Sequence, residues 1–328
     1  MKTEVKKIIK IFLSFVLAAV FVYFAFRGID WGQFCTDIQQ TRWAWVLVFM
    51  IVSIAALVFR MFRWRALLAP LGSPAGLLRV WDANNIGNIV NIVVPGSGEF
   101  VRCTYVTGPA ASYDKVLGTI VSERICDILA IVILMVLALL CGGVEVNEFF
   151  RVQVLSSLSS RPALLWGVLS AFLLIALLIY LIWRMRGTNL FCAKVASKFK
   201  GFADGLTTFI RMPRKWLFML YTLGIWSMYI LMSYSIIKSM PELSHLGISD
   251  ALFLCAIGNF ASVIPVPGGM GAYHYLIALA LSGIYGLSWE TGLLNATLNH
   301  ELHAVLILIL GIISYISVSI SRRKQVNT

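Results

Sequence analysis

Apolar residues gather in runs of about twenty along nearly the whole chain, divided by short polar or basic stretches, and about twenty apolar residues are what a helix needs to cross a bilayer. Runs at 8–26, 43–62, 115–140, 162–183, 215–238 and 290–320 predict six full transmembrane helices. The first run is as long as a span and has no small-residue cleavage site, so it is expected to remain as a helix rather than be removed as a signal peptide. Two other stretches break the pattern. Residues 78–94 carry Asp82, Asn84, Asn85, Asn88 and Asn91 among apolar neighbours, with Asn84, Asn88 and Asn91 on one helical face. This stretch ends in PGSG at 95–98, and 99–107 then resumes a helical pattern. Residues 251–267 run the same way into PVPGG, and 268–286 resume. Non-helical backbone survives at bilayer depth only when buried in protein or lining a cavity. The two breaks therefore predict re-entrant helical hairpins at 78–107 and 251–286. In 189–211, Phe191, Val195, Phe199, Phe202, Leu206 and Phe209 recur every three or four residues with Lys194, Lys198 and Lys200 on other faces, the pattern of an interfacial amphipathic helix.

The order span, span, hairpin, span occurs twice, in 1–142 and in 162–321, with opposite starting directions. Ile86, Gly87 and Asn88 precede the first break as Ile257, Gly258 and Asn259 precede the second. The expected fold is an all-α polytopic membrane protein of six full transmembrane helices plus two re-entrant helical hairpins in an inverted repeat. That architecture places a site near the midplane, between the broken segments.

Composition supports this reading and removes others. The chain is 59% hydrophobic and 13% charged with mean hydropathy +0.86, and its apolar runs leave no stretch for a water-soluble catalytic domain. A net charge of +12 could suggest nucleic acid, but the Lys and Arg sit in short blocks beside the spans, as orientation signals and anionic-lipid contacts do. Their distribution places both termini in the cytoplasm, with Arg60, Arg63 and Arg65 marking a cytoplasmic exit and Trp64 at the interface. The six cysteines show no paired spacing and read as small apolar residues.

The candidate chemistry lies in the hairpins and the spans beside them. Gly96, Ser97 and Gly98 would let backbone amides approach a phosphate, with Arg102 one turn on and Glu99 beside it; the alternative is tight helix packing with Arg102 paired to Glu99. Gly268, Gly269 and His274 occupy the matching place in the second hairpin. Glu123, Arg124 and Asp127 form either a proton or cation relay or a buried ion network. Asn295, Asn299, His300 and Glu301, with His303, either line a cavity with Asn84, Asn88, Asn91 and Asn259 or supply interhelical hydrogen bonds. HELH at 300–303 spaces its histidines by three rather than the four a zincin helix needs, so no metal and no cofactor are expected. Ser97 has no base near it in sequence, which disfavours an intramembrane hydrolase.

The segments RMFRWRALL, PGSGEFVR, SERICD and PVPGGMGA, in this order, resemble the flippase-like family that includes the membrane region of lysylphosphatidylglycerol synthases. The family often has glutamate where this chain has His274, and an arginine in the last span near His300. The resemblance implies a bacterial inner (plasma) membrane protein, not itself an enzyme, that handles lipids such as aminoacylated phosphatidylglycerol or polyprenyl-linked sugars. Its partners would be membrane lipids with anionic, phosphate-bearing head groups. Two roles follow: a flippase or carrier, or a non-transporting subunit presenting lipid to a separate glycosyl- or aminoacyl-transferase.

Overall fold

A computed structural model describes residues 22–73, 75–152, 214–261 and 269–326, with a few single positions outside these stretches. Every regular element among them is helical: α1 (Trp31–Gln40), α2 (Trp43–Leu68), α3 (Leu77–Val93), α4 (Ser97–Val106), α5 (Tyr113–Cys141), α6 (Val144–Phe150), α7 (Lys215–Ser239), α8 (Ile248–Ala261), α9 (Ala272–Tyr285) and α10 (Trp289–Val326). Four stretches are long and apolar enough to span a membrane: Trp43–Leu71, Tyr113–Cys141, Lys215–Ser239 and Trp289–Ser321. They coincide with four of the six expected spans. The other two, 8–26 and 162–183, and the amphipathic stretch 189–211 lie largely outside the described residues.

The lipid-facing surfaces follow from the apolar sequence. On α5, Ile125, Ile128, Leu129, Val132, Ile133 and Val136 are exposed, and on α10 so are Val305, Ile309, Ile312, Ile313 and Ile316. In water such stripes would drive association; in acyl chains they need no cover.

Both expected breaks are present. Helix α3 stops at Val93, and Gly96 takes a φ of 76° to start α4, a conformation that costs a residue with a Cβ about 1–2 kcal/mol. Gly271 caps α9 in the same way at φ 77°. The turn before α4 is shorter than the expected tip, because helix resumes at Ser97. Helices of 17, 10, 14 and 14 residues form the two pairs, about 15–26 Å each, short of a hydrocarbon core about 30 Å thick. Arms α3 and α4 run antiparallel, since Asn84 bonds Arg102 while Gly87 abuts Gly98.

Packing joins helices far apart in the chain. Helix α3 lies against α10, α8 lies against α5, and the broadest contact joins α2 to α7. Asn85 Nδ2 donates to Ser314 Oγ at 3.2 Å, and Ser317 Oγ to Asp82 Oδ2 at 3.1 Å, which fixes α3 on α10 by polar contacts as well as by shape. An apolar core built from Phe49, Ile236, Leu254, Ile277, Leu281 and Leu294 joins α2, α7, α8, α9 and α10.

Candidate functional site: an ion network and a polar cavity

The first cluster gathers side chains from α2 to α5. Glu123 and Asp127, one helical turn apart on α5, face α2 and α4. Arg63 grips Asp127 with two bonds, Nη1 to Oδ1 at 2.6 Å and Nη2 to Oδ2 at 3.1 Å, and its Nε lies 3.5 Å from Glu123. Arg102 donates from Nη2 to Glu123 at 2.7 Å and from Nη1 to Asn84 at 3.0 Å, with Nε 2.8 Å from Glu99. The Arg102 guanidinium also lies 4.5 Å over the Trp64 ring, whose Nε1 donates to Thr119. Arg124, at the open edge, pairs with Glu99 and stands 3.8 Å from Asp127. Three guanidinium groups thus meet three carboxylates, and the cluster is neutral. Neutrality matters because an uncompensated charge at membrane depth is costly.

Two expectations change here. Arg63 and Trp64 are not an interfacial exit signal: they are 2% and 0% exposed and form the floor of the cluster. The sequence did contain a clue, since Glu99, Glu123 and Asp127 outnumber Arg102 and Arg124 by one cation. The first break is also internally satisfied. The Gly98 amide donates to Asn91 Oδ1 at 2.7 Å and the Ser97 amide to Val94 O at 3.1 Å, while Ser97 Oγ donates to the same carbonyl at 2.6 Å. The Ser97 and Gly98 amides, read as part of a phosphate cradle, thus hold the hairpin together, and the Ser97 hydroxyl proton goes to a carbonyl oxygen rather than to a base. Asn84 and Asn91 serve these internal bonds.

The second cluster borders a cavity of about 360 Å³ among α3, α7, α8, α9 and α10. Its polar lining is Asn259, Asn299, His300, Glu301 and His303, with Ser233 and Tyr273; its apolar wall includes Tyr229, Met232, Ile307 and Leu308. Leu308 is also exposed on the outer surface, so the wall reaches the lipid-facing side. His300 Nδ1 lies 2.9 Å from Glu301 Oε1, and His274 Nε2 stands 3.7 Å from that oxygen. These three can present one ligand atom each within 4.8 Å of one another. Gly269 approaches the His300 ring, and a Cβ there would lie 3.5 Å from Nε2. Gly268 falls outside the described residues.

Not every expected residue joins this cavity. Asn295 is buried one turn away with Nδ2 against Met240 Sδ, and Asn84, Asn88 and Asn91 do not line the space. Arg60 was read only as an orientation signal. It lies within electrostatic reach of both Glu99 and His303.

Spans flanked by exposed apolar stripes, a neutral internal ion cluster and a polar cavity halfway along α10 define a multi-pass integral membrane protein. The chain belongs to the lysylphosphatidylglycerol synthase transmembrane-region family, whose model matches residues 11–311. The expected family membership thus holds over nearly the whole chain. No curated protein and no solved structure is significantly similar to the chain.

Proposed function

We propose that the protein is a lipid flippase or carrier, rather than an enzyme, for a lipid with an anionic, phosphate-bearing head group. The observation that carries this reading is the cavity between α7 and α10. Its volume lies within the range of small-ligand sites, its polar groups converge from four helices, and its apolar wall opens toward the acyl chains. A head group could occupy the polar end while its tails stay in the bilayer. Six spans and two re-entrant hairpins in an inverted repeat would give this site alternating access. The reciprocal packing of α3 on α10 and α8 on α5, and the positive-φ glycine opening both α4 and α9, support that repeat.

In this reading the roles divide. The Arg63, Arg102, Glu99, Glu123 and Asp127 cluster anchors the first hairpin to α2 and α5. His300, Glu301, Asn259 and Asn299 face the head group, with His274 buried beside them, and Arg60 biases the potential toward anions. A second reading, a subunit that presents lipid to a separate transferase, draws support from the family's association with a synthase.

The purified protein would be reconstituted into liposomes carrying head-group-labelled phosphatidylglycerol or phosphatidylcholine, and leaflet exchange followed by quenching. The wild type should speed exchange of the anionic lipid, and Ala304→Trp, which fills the cavity from α10, should slow it at least tenfold. Exchange equal to empty liposomes for every anionic lipid tried would refute transport and favour presentation.

A further inference from the structure

The cavity contains an imbalance that the first cluster does not. Among the described residues Glu301 has no Lys or Arg ion pair; its neighbours are His300 and His274. His274 is 3% exposed, its Nδ1 has no hydrogen-bond partner, and its Nε2 stops at 3.7 Å from the carboxylate, too far for a hydrogen bond. The Nε2 lone pair, turned toward the Glu301 carboxylate with no donor at hydrogen-bond distance, is therefore free to bind a cation.

We infer that His274, His300 and Glu301 form a binding site for one divalent transition-metal ion of the zinc class, whose open position faces the cavity and takes a phosphate oxygen of the lipid head group. Ligands about 2.0–2.1 Å from a tetrahedral zinc sit about 3.3 Å from one another. The separations of 2.9 and 3.7 Å from Glu301 Oε1 to the two imidazole nitrogens bracket that value. Two imidazoles and one carboxylate suit zinc-like ions and leave the fourth position open. That position lies on the cavity side, where the Glu301 side chain is 44% exposed. Charge also closes: a 2+ ion, the Glu301 carboxylate and a phosphodiester sum to zero. The sequence pattern hid this set, because the partner of His300 is not His303 on the same helix but His274 on α9.

The identity of the ligand at the fourth position rests on the lipid-handling reading above; the metal site does not. The test uses the full chain in detergent, stripped with chelator and titrated with Co²⁺ alone. The expected result is one saturable equivalent, with the intense visible d–d absorption of a low-symmetry four-coordinate ion. Glu301→Gln and His274→Ala should each weaken binding at least tenfold, whereas His245→Ala, on an exposed loop, should not. Thermal melts of the stripped variants check that each is folded, and Glu301→Gln, nearly isosteric, stands should His274→Ala fail. Absence of saturable cobalt binding, or binding unchanged in both variants, overturns the site. Adding short-chain phosphatidylglycerol should then shift the cobalt spectrum. A cobalt site with no such shift overturns the phosphate assignment, and a metal site in a protein without lipid exchange would sink the transport reading alone.

Discussion

Arg63 is the sharpest place to test the ion network. Replacing it with alanine removes both bonds to Asp127 and the contact with Glu123, and leaves three carboxylates facing Arg102 and Arg124. Breaking a buried pair by deleting one partner typically costs about 3–5 kcal/mol, because the remaining charge is stranded rather than because the pair itself was strong. With an unfolding entropy of about 2 cal/mol/K per residue, a chain this long shifts by about 1.5 °C per kcal/mol, so the apparent midpoint should fall by roughly 4–7 °C. A thiol-reactive fluorogenic dye can follow unfolding in detergent through Cys103, which is fully buried on α4. Adding Asp127→Asn to Arg63→Ala restores equal numbers of positive and negative groups, and should recover at least half of the loss. The reasoning fails if Arg63→Ala costs no more than Arg27→Ala at the exposed surface, or if the second substitution makes matters worse.

Gly98→Ala should loosen the first hairpin, since a Cβ there meets the Gly87 carbonyl oxygen and the Asn91 amide; a loss of about 1–3 kcal/mol and faster labelling of Cys103 are expected, and unchanged labelling would count against the close approach. Asp37, outside the spans at the end of α1, offers a pH test. Burial raises its carboxyl above the ordinary 3.8, and the hydrogen bond from Gln33 offsets this only in part. The folded state therefore holds the proton more tightly than the unfolded chain, and stability is lost as pH rises from 3.8 through the raised folded value. Asp37→Asn should raise the melting midpoint at pH 7, with the advantage shrinking toward pH 3.8; equal midpoints at pH 7 would contradict the shift.

Much of the molecule could be read from residue order. Apolar run length marked three of the four described spans to within two residues at each end, because hydrocarbon thickness and helical rise leave little choice, whereas the run expected to end at 62 continues as helix into the arginine-rich stretch and on to Leu71. Proline and glycine marked both breaks, because only special backbone geometry interrupts a helix there, as Gly96 and Gly271 show. The ionisable residues of α4, α5 and α10 stood out for the same reason: their cost in an apolar setting demands partners. Which partners they find is a different kind of information. Arg63 and Trp64 look like a membrane exit in the sequence, but α5 packs across them through Asp127 and Thr119, and the Gly98 amide looks free, but Asn91 reaches it. His274 joins His300 and Glu301 only because α9 folds back along α10. Periodicity reports which face of one helix is polar; it carries nothing about which face of another helix will meet it, and that pairing depends on packing between segments distant in the chain.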